Sequence, residues 1–242
     1  MRRFAAIAAV ICLGVAQSAL AGGNVQLSGV VYTFNTPFPV AGARVAIAEH
    51  PELSTITDAA GRYALSVPDN EEVTPFAEMS GYRTMHLQTF ETDGESIQDA
   101  HFQLVPLQVY AFLAFLVGVD PASPLCQVVT TVAVKELRGL TFEQLTQFGP
   151  QGLPGAMVRS RPALPGPIYF NEQVIPDPSR TSTSSDGGVV FTNVPNCRYR
   201  LIASHPTARF SKINVICEPG RFVNASPPWG LIEKGRSGDD QD

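Results

Sequence analysis

Apolar and polar residues alternate in short runs along most of this chain. In "RYALSVP", Tyr63, Leu65 and Val67 fall on one side, with Ala64 and Ser66 on the other. A period of two marks a strand with one buried face. Further on, Val128, Thr130, Val132 and Val134 share a side, as do Val189, Phe191 and Asn193. Turns bearing glycine and proline separate these runs, and that spacing predicts an all-β sandwich.

The runs occur twice in one order. The first set reads "VQLSGVVYTF", "PVAGARVAIAE", "STITDAAGRYALSVP" and "MSGYRTMHLQTF". The second reads "CQVVTTVAVKEL", "LPGAMVRS", "TSTSSDGGVVFTNVP" and "CRYRLIASHPTARFSKINVIC". Val40-Ala41-Gly42-Ala43 stands against Leu153-Pro154-Gly155-Ala156, and Asp58 to Gly61 against Asp186 to Gly188. The pattern therefore predicts two sandwiches, residues 24–105 and 125–232, the second with an inserted loop at 160–181. The repeated Asp-Gly strings read as turns. Their aspartates can accept a backbone N–H, and their glycines can take the positive φ of a tight connection. A catalytic acid would need a partner group and a pocket, whereas a turn needs only Asp and Gly.

Two segments break the alternation. The join, residues 106–124, holds eleven residues from Val109 to Val119 without a charge. It is too short to span a bilayer. It predicts a buried helix of about three turns, stopped at Gly118 ahead of Pro121. A second short helix is predicted over "LTFEQLTQFG", capped by Thr141 and stopped at Gly149, with Phe142, Leu145 and Phe148 on one face. Tyr110, Phe112, Leu113, Phe115 and Leu116, with Phe142 and Phe148, then either cement the sandwiches together or line an apolar groove for a ligand or partner. Burial of such side chains is worth roughly 1.5–3 kcal/mol each, which argues against leaving them in water.

Residues 1–21 change the setting. Arg2 and Arg3, an apolar stretch and Ala19-Leu20-Ala21 have the order of a secretory signal peptide. The mature protein is then exported, to the periplasm or the extracellular space, and no later segment reads as a membrane helix. The net charge of −5 becomes −7 once the two arginines leave, which disfavours nucleic acid as a partner. Residues 233–242 read as a disordered acidic tail.

Cys126, Cys197 and Cys217 remain after export, enough for one disulfide. Cys197 and Cys217 fall at one end of a predicted hairpin, and Cys126 reaches that end if the second unit's first strand runs parallel to "RFVNAS". Cys126–Cys217 is the preferred pair because it closes a long loop, leaving Cys197 as a free thiol. Cys197–Cys217 is the alternative.

The strings "GVV", "PVAGARV", "TDAAGRYALSVP" and "GYR", over about Val25 to Leu104, resemble the carboxypeptidase regulatory-like domain, a transthyretin-like β-sandwich. The second unit is similar but divergent. The resemblance implies a seven-strand, usually non-catalytic module, often attached to secreted enzymes or receptors. Two enzyme families share that fold. Intradiol dioxygenases bind iron through two tyrosines and two histidines. "GPIYFNEQ" is similar to one of their pieces, and Tyr169 and Tyr199 are present, but only His205 follows and no His-x-His exists. Hydroxyisourate hydrolases end in Tyr-Arg-Gly-Ser, which this chain lacks.

Other chemistry is sparse. His50, His86, His101 and His205 show no metal-binding spacing, and no Cys-x-x-Cys occurs. His86 and His101 read as surface or edge side chains. Trp229 is read as lying back on the second sandwich, with an exposed binding role as its alternative. The sequence thus points to an exported, non-catalytic binding or scaffolding protein with no cofactor and no metal. Its partner is a protein, a glycan or an apolar ligand, met at residues 109–119 with Phe142 and Phe148 or at the aromatic- and proline-bearing part of the inserted loop, residues 165–176, which carries Tyr169. The alternatives are a degenerate enzyme on the same fold and a carrier holding an apolar molecule between the domains.

Overall fold

A computed structural model describes residues 23–236, so the segment read as a signal peptide and the end of the acidic tail lie outside the described residues. The first unit contributes β1 (Asn24–Thr33), β2 (Arg44–Ile47), β3 (Ser54–Ile56), β4 (Arg62–Pro68), β5 (Glu72–Val73), β6 (Pro75–Glu78), β7 (Met85–His86), β8 (Phe90–Glu91) and β9 (Phe102–Leu104). Helix α1 (Leu107–Leu116) follows. The second unit contributes β10 (Cys126–Ala133), helix α2 (Phe142–Gln147), β11 (Met157–Arg161), β12 (Ile168–Phe170), β13 (Pro176–Asp177), β14 (Gly188–Val194), β15 (Cys197–Ser204), β16 (Ala208–Phe210), β17 (Lys212–Cys217), β18 (Phe222–Ala225) and β19 (Leu231–Arg236).

Both units follow one plan. In each, the first strand pairs antiparallel with the strand after the Asp-Gly turn, β1 with β4 and β10 with β14. It also pairs parallel with a late strand, β1 with β9 and β10 with β18. Side chains alternate across these ladders, so Leu27, Tyr63, Leu65 and Val67 enter one core while Val128, Val132, Val189 and Phe191 enter another.

The units are fused through their sheets. β18 pairs parallel with β7, so the path β13-β12-β14-β10-β18 of the second unit continues as β7-β6-β2-β3 of the first. Bonds across the join support it. The Arg83 guanidinium donates to the Gly220 carbonyl (2.6 Å), Thr89 N–H to the Asn214 carbonyl (2.8 Å), and Gly230 N–H to Gln88 Oε1 (3.0 Å).

Several features depart from the sequence reading. Residues 233–236 belong to β19, which pairs with β16 and β10, so the ordered chain runs further into the acidic end than its composition implies. Glu233 is 2 % exposed there. Part of the inserted loop forms β12 and β13 and widens the sheet. Helix α1 stops where Gly118 takes φ +67°, but it is not a buried helix. Only Tyr110 and Ala114 are buried within it. Helix α2 has the Thr141–Gln144 capping box, yet it ends at Phe148 in extended conformation rather than at Gly149.

Cys126 is joined to Cys217, with 5.5 Å between their Cα atoms, tying β10 across the core to β17. Cys197 is opposite Cys217 in the β15–β17 ladder. It is not a free thiol, since no described cysteine is free.

Candidate functional site

Every second residue of β10, and of β18 with the Ser226 that follows it, points away from the second core. Val129, Thr131, Asn224 and Ser226 do so, beside Phe170 and Gly188, and they line a cleft of about 440 Å³. The first unit lines it with Tyr32 and Phe34 at the end of β1, the loop Asn35–Pro37, and Gln103 of β9. Leu145, Phe148 and Gln151 contribute from α2 and the chain after it, and Glu172 and Val174 from the inserted loop. Such a volume lies in the usual range for small-molecule sites. Aromatic rings, amides and hydroxyls converge there from both units.

Helix α2 is anchored beside the cleft by its apolar residues. Phe142 meets the Tyr32 ring at 5.0 Å and the His101 ring at 5.6 Å, edge to face. Leu145 is buried with Leu137 and Ile232. Val174 has φ +62°, a conformation that costs a β-branched residue of the order of 1–3 kcal/mol. Its N–H donates to the Asn171 carbonyl, and Asn171 Oδ1 accepts from the N–H groups of Gln173 and Ile175.

The two duplicated aspartates differ in setting. Asp58 is exposed, and its Oδ1 accepts from the N–H groups of Ala60 and Arg62, both at 2.8 Å. Asp186 lines the cleft, and its Oδ2 accepts from Gly188 N–H at 3.0 Å. Burial raises the Asp186 pKa, and the Gly188 bond acts against that. A threonine before each turn carries a bond pair that no sequence pattern announces. Thr57 Oγ donates to the Val40 carbonyl (2.7 Å) and accepts from Ala43 N–H (2.9 Å). Thr183 repeats both bonds with Leu153 (2.6 Å) and Ala156 (2.9 Å). Thr57 lies one residue before Asp58 and Thr183 three before Asp186, so no common spacing marks the pair in the sequence.

The apolar residues of the join divide into two groups. Tyr110 packs on Phe222 at 5.2 Å, with the Arg83 guanidinium 5.0 Å from its own ring. Leu113 lines a cavity of about 60 Å³ between α1 and the sheet, too small for a lipid-like ligand. Leu116 is half-buried, while Phe112 is 57 % and Phe115 78 % exposed. The helix has a single sheet face to pack on, so its opposite side remains in solvent.

Other singled-out residues serve the frame. Trp229 packs edge-to-face on Phe90 of the first unit at 5.0 Å, and its Nε1–H donates to the Gln98 carbonyl. The β18–β7 ladder carries it to that unit rather than to its own. Tyr169 is buried, and its hydroxyl accepts from Val158 N–H at 3.0 Å. The Tyr199 hydroxyl donates to the Pro195 carbonyl, and His205 Nδ1 accepts from Thr207 N–H. His101 is buried rather than superficial, with Nδ1 accepting from Val30 N–H. His86 is half-buried and stacks on Phe76. Among the described residues, no group of three or more His, Cys, Asp or Glu could hold a metal ion. No helix among them is long and apolar enough to cross a membrane.

No family model matches the chain, and no curated protein matches it in sequence. Among solved structures it is similar to the Bacillus anthracis TIE protein, at 15% identity and TM-score 0.28, over 88% of this chain and 34% of that one. It is similar to GBS52, the minor pilin of Streptococcus agalactiae, at 10% identity and TM-score 0.28, over 86% and 95%. It is also similar to shaft pilin spaA from Lactobacillus rhamnosus GG, at 10% identity and TM-score 0.24, over 89% and 98%. The chain spans about a third of the length of the Bacillus anthracis chain.

Proposed function

We propose that this is an exported, non-catalytic binding protein that holds its ligand in the cleft between two transthyretin-like sandwiches. One observation carries the reading: a roomy cleft lined from both units by Tyr32, Phe34, Phe148 and Phe170 together with Asn35, Gln103, Thr131 and Asn224. Rings give contact area, and amides and hydroxyls give orientation, which is how small-molecule sites are usually built. The Cys126–Cys217 bond suits an oxidising compartment and supports export. The exposed Asp58, with both of its bonds inside its own turn, supports a structural role for the first string, while Asp186 makes one turn bond and lines the cleft. The 60 Å³ apolar cavity gives no support to the carrier alternative.

The test is a ligand screen by two-dimensional NMR, covering short peptides, sugars and amines. A ligand should shift resonances of Thr131 and Asn224 in one unit and Tyr32 and Gln103 in the other. Thr131→Trp, which fills the cleft, should abolish those shifts while leaving the fold intact. Binding that survives Thr131→Trp unchanged would place the site elsewhere.

A further inference from the structure

We propose that the cleft takes an alkylammonium group, from a free amine or from a lysine side chain on a partner segment. This deepens the reading of the cleft as the binding site and rests on it. The argument is one of charge. The charged residues lining the cleft are Glu172 and Asp186, both acids, and no lysine, arginine or histidine lines it. Arg180 already engages Glu172 at 3.4 Å. Asp186 gives Oδ2 to Gly188 N–H, and its Oδ1 makes no hydrogen bond within the described residues.

A ligand filling the cleft displaces water from that carboxylate. Covering an ionised group without a partner is costly, so a neutral ligand would be penalised there. An anion would add like-charge repulsion. An ammonium group supplies the missing charge and a donor for Oδ1. The rings of Tyr32, Phe34, Phe148 and Phe170 favour the same class, because a ring face attracts a cation and its body packs on an alkyl stem. The amides of Asn35 and Asn224 can then take the groups flanking the stem.

The experiment is calorimetric titration of the mature chain, with NMR mapping, against four probes. These are Nα-acetyl-lysine N-methylamide, n-butylammonium chloride, the neutral analogue Nα-acetyl-norleucine N-methylamide, which keeps the four-carbon stem and lacks the ammonium, and maltose. The lysine derivative should bind and shift Thr131 and Asn224, with the norleucine derivative at least about tenfold weaker, as expected when a buried carboxylate loses its partner. Butylammonium binding as tightly as the lysine derivative identifies the amine alone as the ligand; much weaker butylammonium binding identifies a lysine-bearing segment.

Asp186→Asn, which keeps an acceptor for Gly188, should weaken both amines by about tenfold or more. Phe148→Leu should weaken them severalfold through lost ring contact. Glu172→Gln should change little. Maltose or the norleucine derivative shifting cleft resonances while both amines stay silent would overturn the amine assignment and leave the binding reading standing. Silence of the cleft to all four probes, with the wide ligand screen also negative, would overturn both.

Discussion

Val223 of the second unit and His86 of the first are Cα partners in a parallel ladder, and that pair turns two sheets into one. Phe222, next to the seam, is buried and packs on Tyr110 of α1. Truncating such a side chain leaves a cavity and costs about 3–5 kcal/mol. Phe222→Ala should therefore lower the urea midpoint measured by tryptophan fluorescence, because Trp229 reports from the first unit. An unmoved midpoint would show that the seam holds nothing together.

The Cys126–Cys217 bond closes 91 residues. The chain-entropy model assigns a loop of that length about 4.5 kcal/mol. Replacing both cysteines with alanine should remove stability on that scale, read from urea curves under oxidising conditions. A loss under ~1 kcal/mol would mean that the unfolded chain is already confined by other contacts.

Stability should fall on acidification because two histidines are held neutral. Burial, helped by the nearby Arg221 charge, lowers the His86 pKa to about 3. Burial lowers that of His101 to about 4, against the opposing pull of Asp99. Unfolded, each would take a proton near pH 6.5. A native pKa below the unfolded value means full stability above pH 6.5, lost as pH falls towards 4 for His101 and 3 for His86. At pH 5 the expected loss is about 2 kcal/mol for each. NMR titration should find both rings neutral at pH 5. A midpoint near 6.5 for either ring removes its share.

The first Asp-Gly string should behave as a turn under mutation. Gly61 has φ +70°, and a Cβ there would lie 2.4 Å from the Val31 carbonyl oxygen, so Gly61→Ala should prevent stable folding. Gly42 has φ +77° with nothing within 4 Å of an added Cβ, so Gly42→Ala should cost only about 1 kcal/mol. Asp58→Asn keeps the acceptor and should be near neutral, while Asp58→Ala should cost about 1 kcal/mol. Thermal melts of the four variants give the ranking; equal effects at Gly61 and Gly42 would contradict this account of the turn.

The alternation at Tyr63, Leu65 and Val67 was readable because one face meets a core and the other meets water. The fate of α1 was not. A segment apolar on every side carries no period that says which side packs, and the exposed Phe112 and Phe115 follow from the space left by the second sheet. Trp229 packs on the first unit although its chain position belongs to the second, and no local pattern marks such a crossing. Phe148 and the inserted loop were singled out for their aromatic and proline content. Tyr32, Gln103, Thr131 and Asn224 were not, because the segments that bring them to the cleft are far apart in the chain and share no local pattern.

A cleft built from two units requires that they move and unfold as one body. Differential scanning calorimetry of the protein tests this directly. A shared sheet, with bonds such as Arg83 to Gly220 across the join, predicts a single transition whose calorimetric and van't Hoff enthalpies agree. Two separable transitions, one for each sandwich, would contradict it.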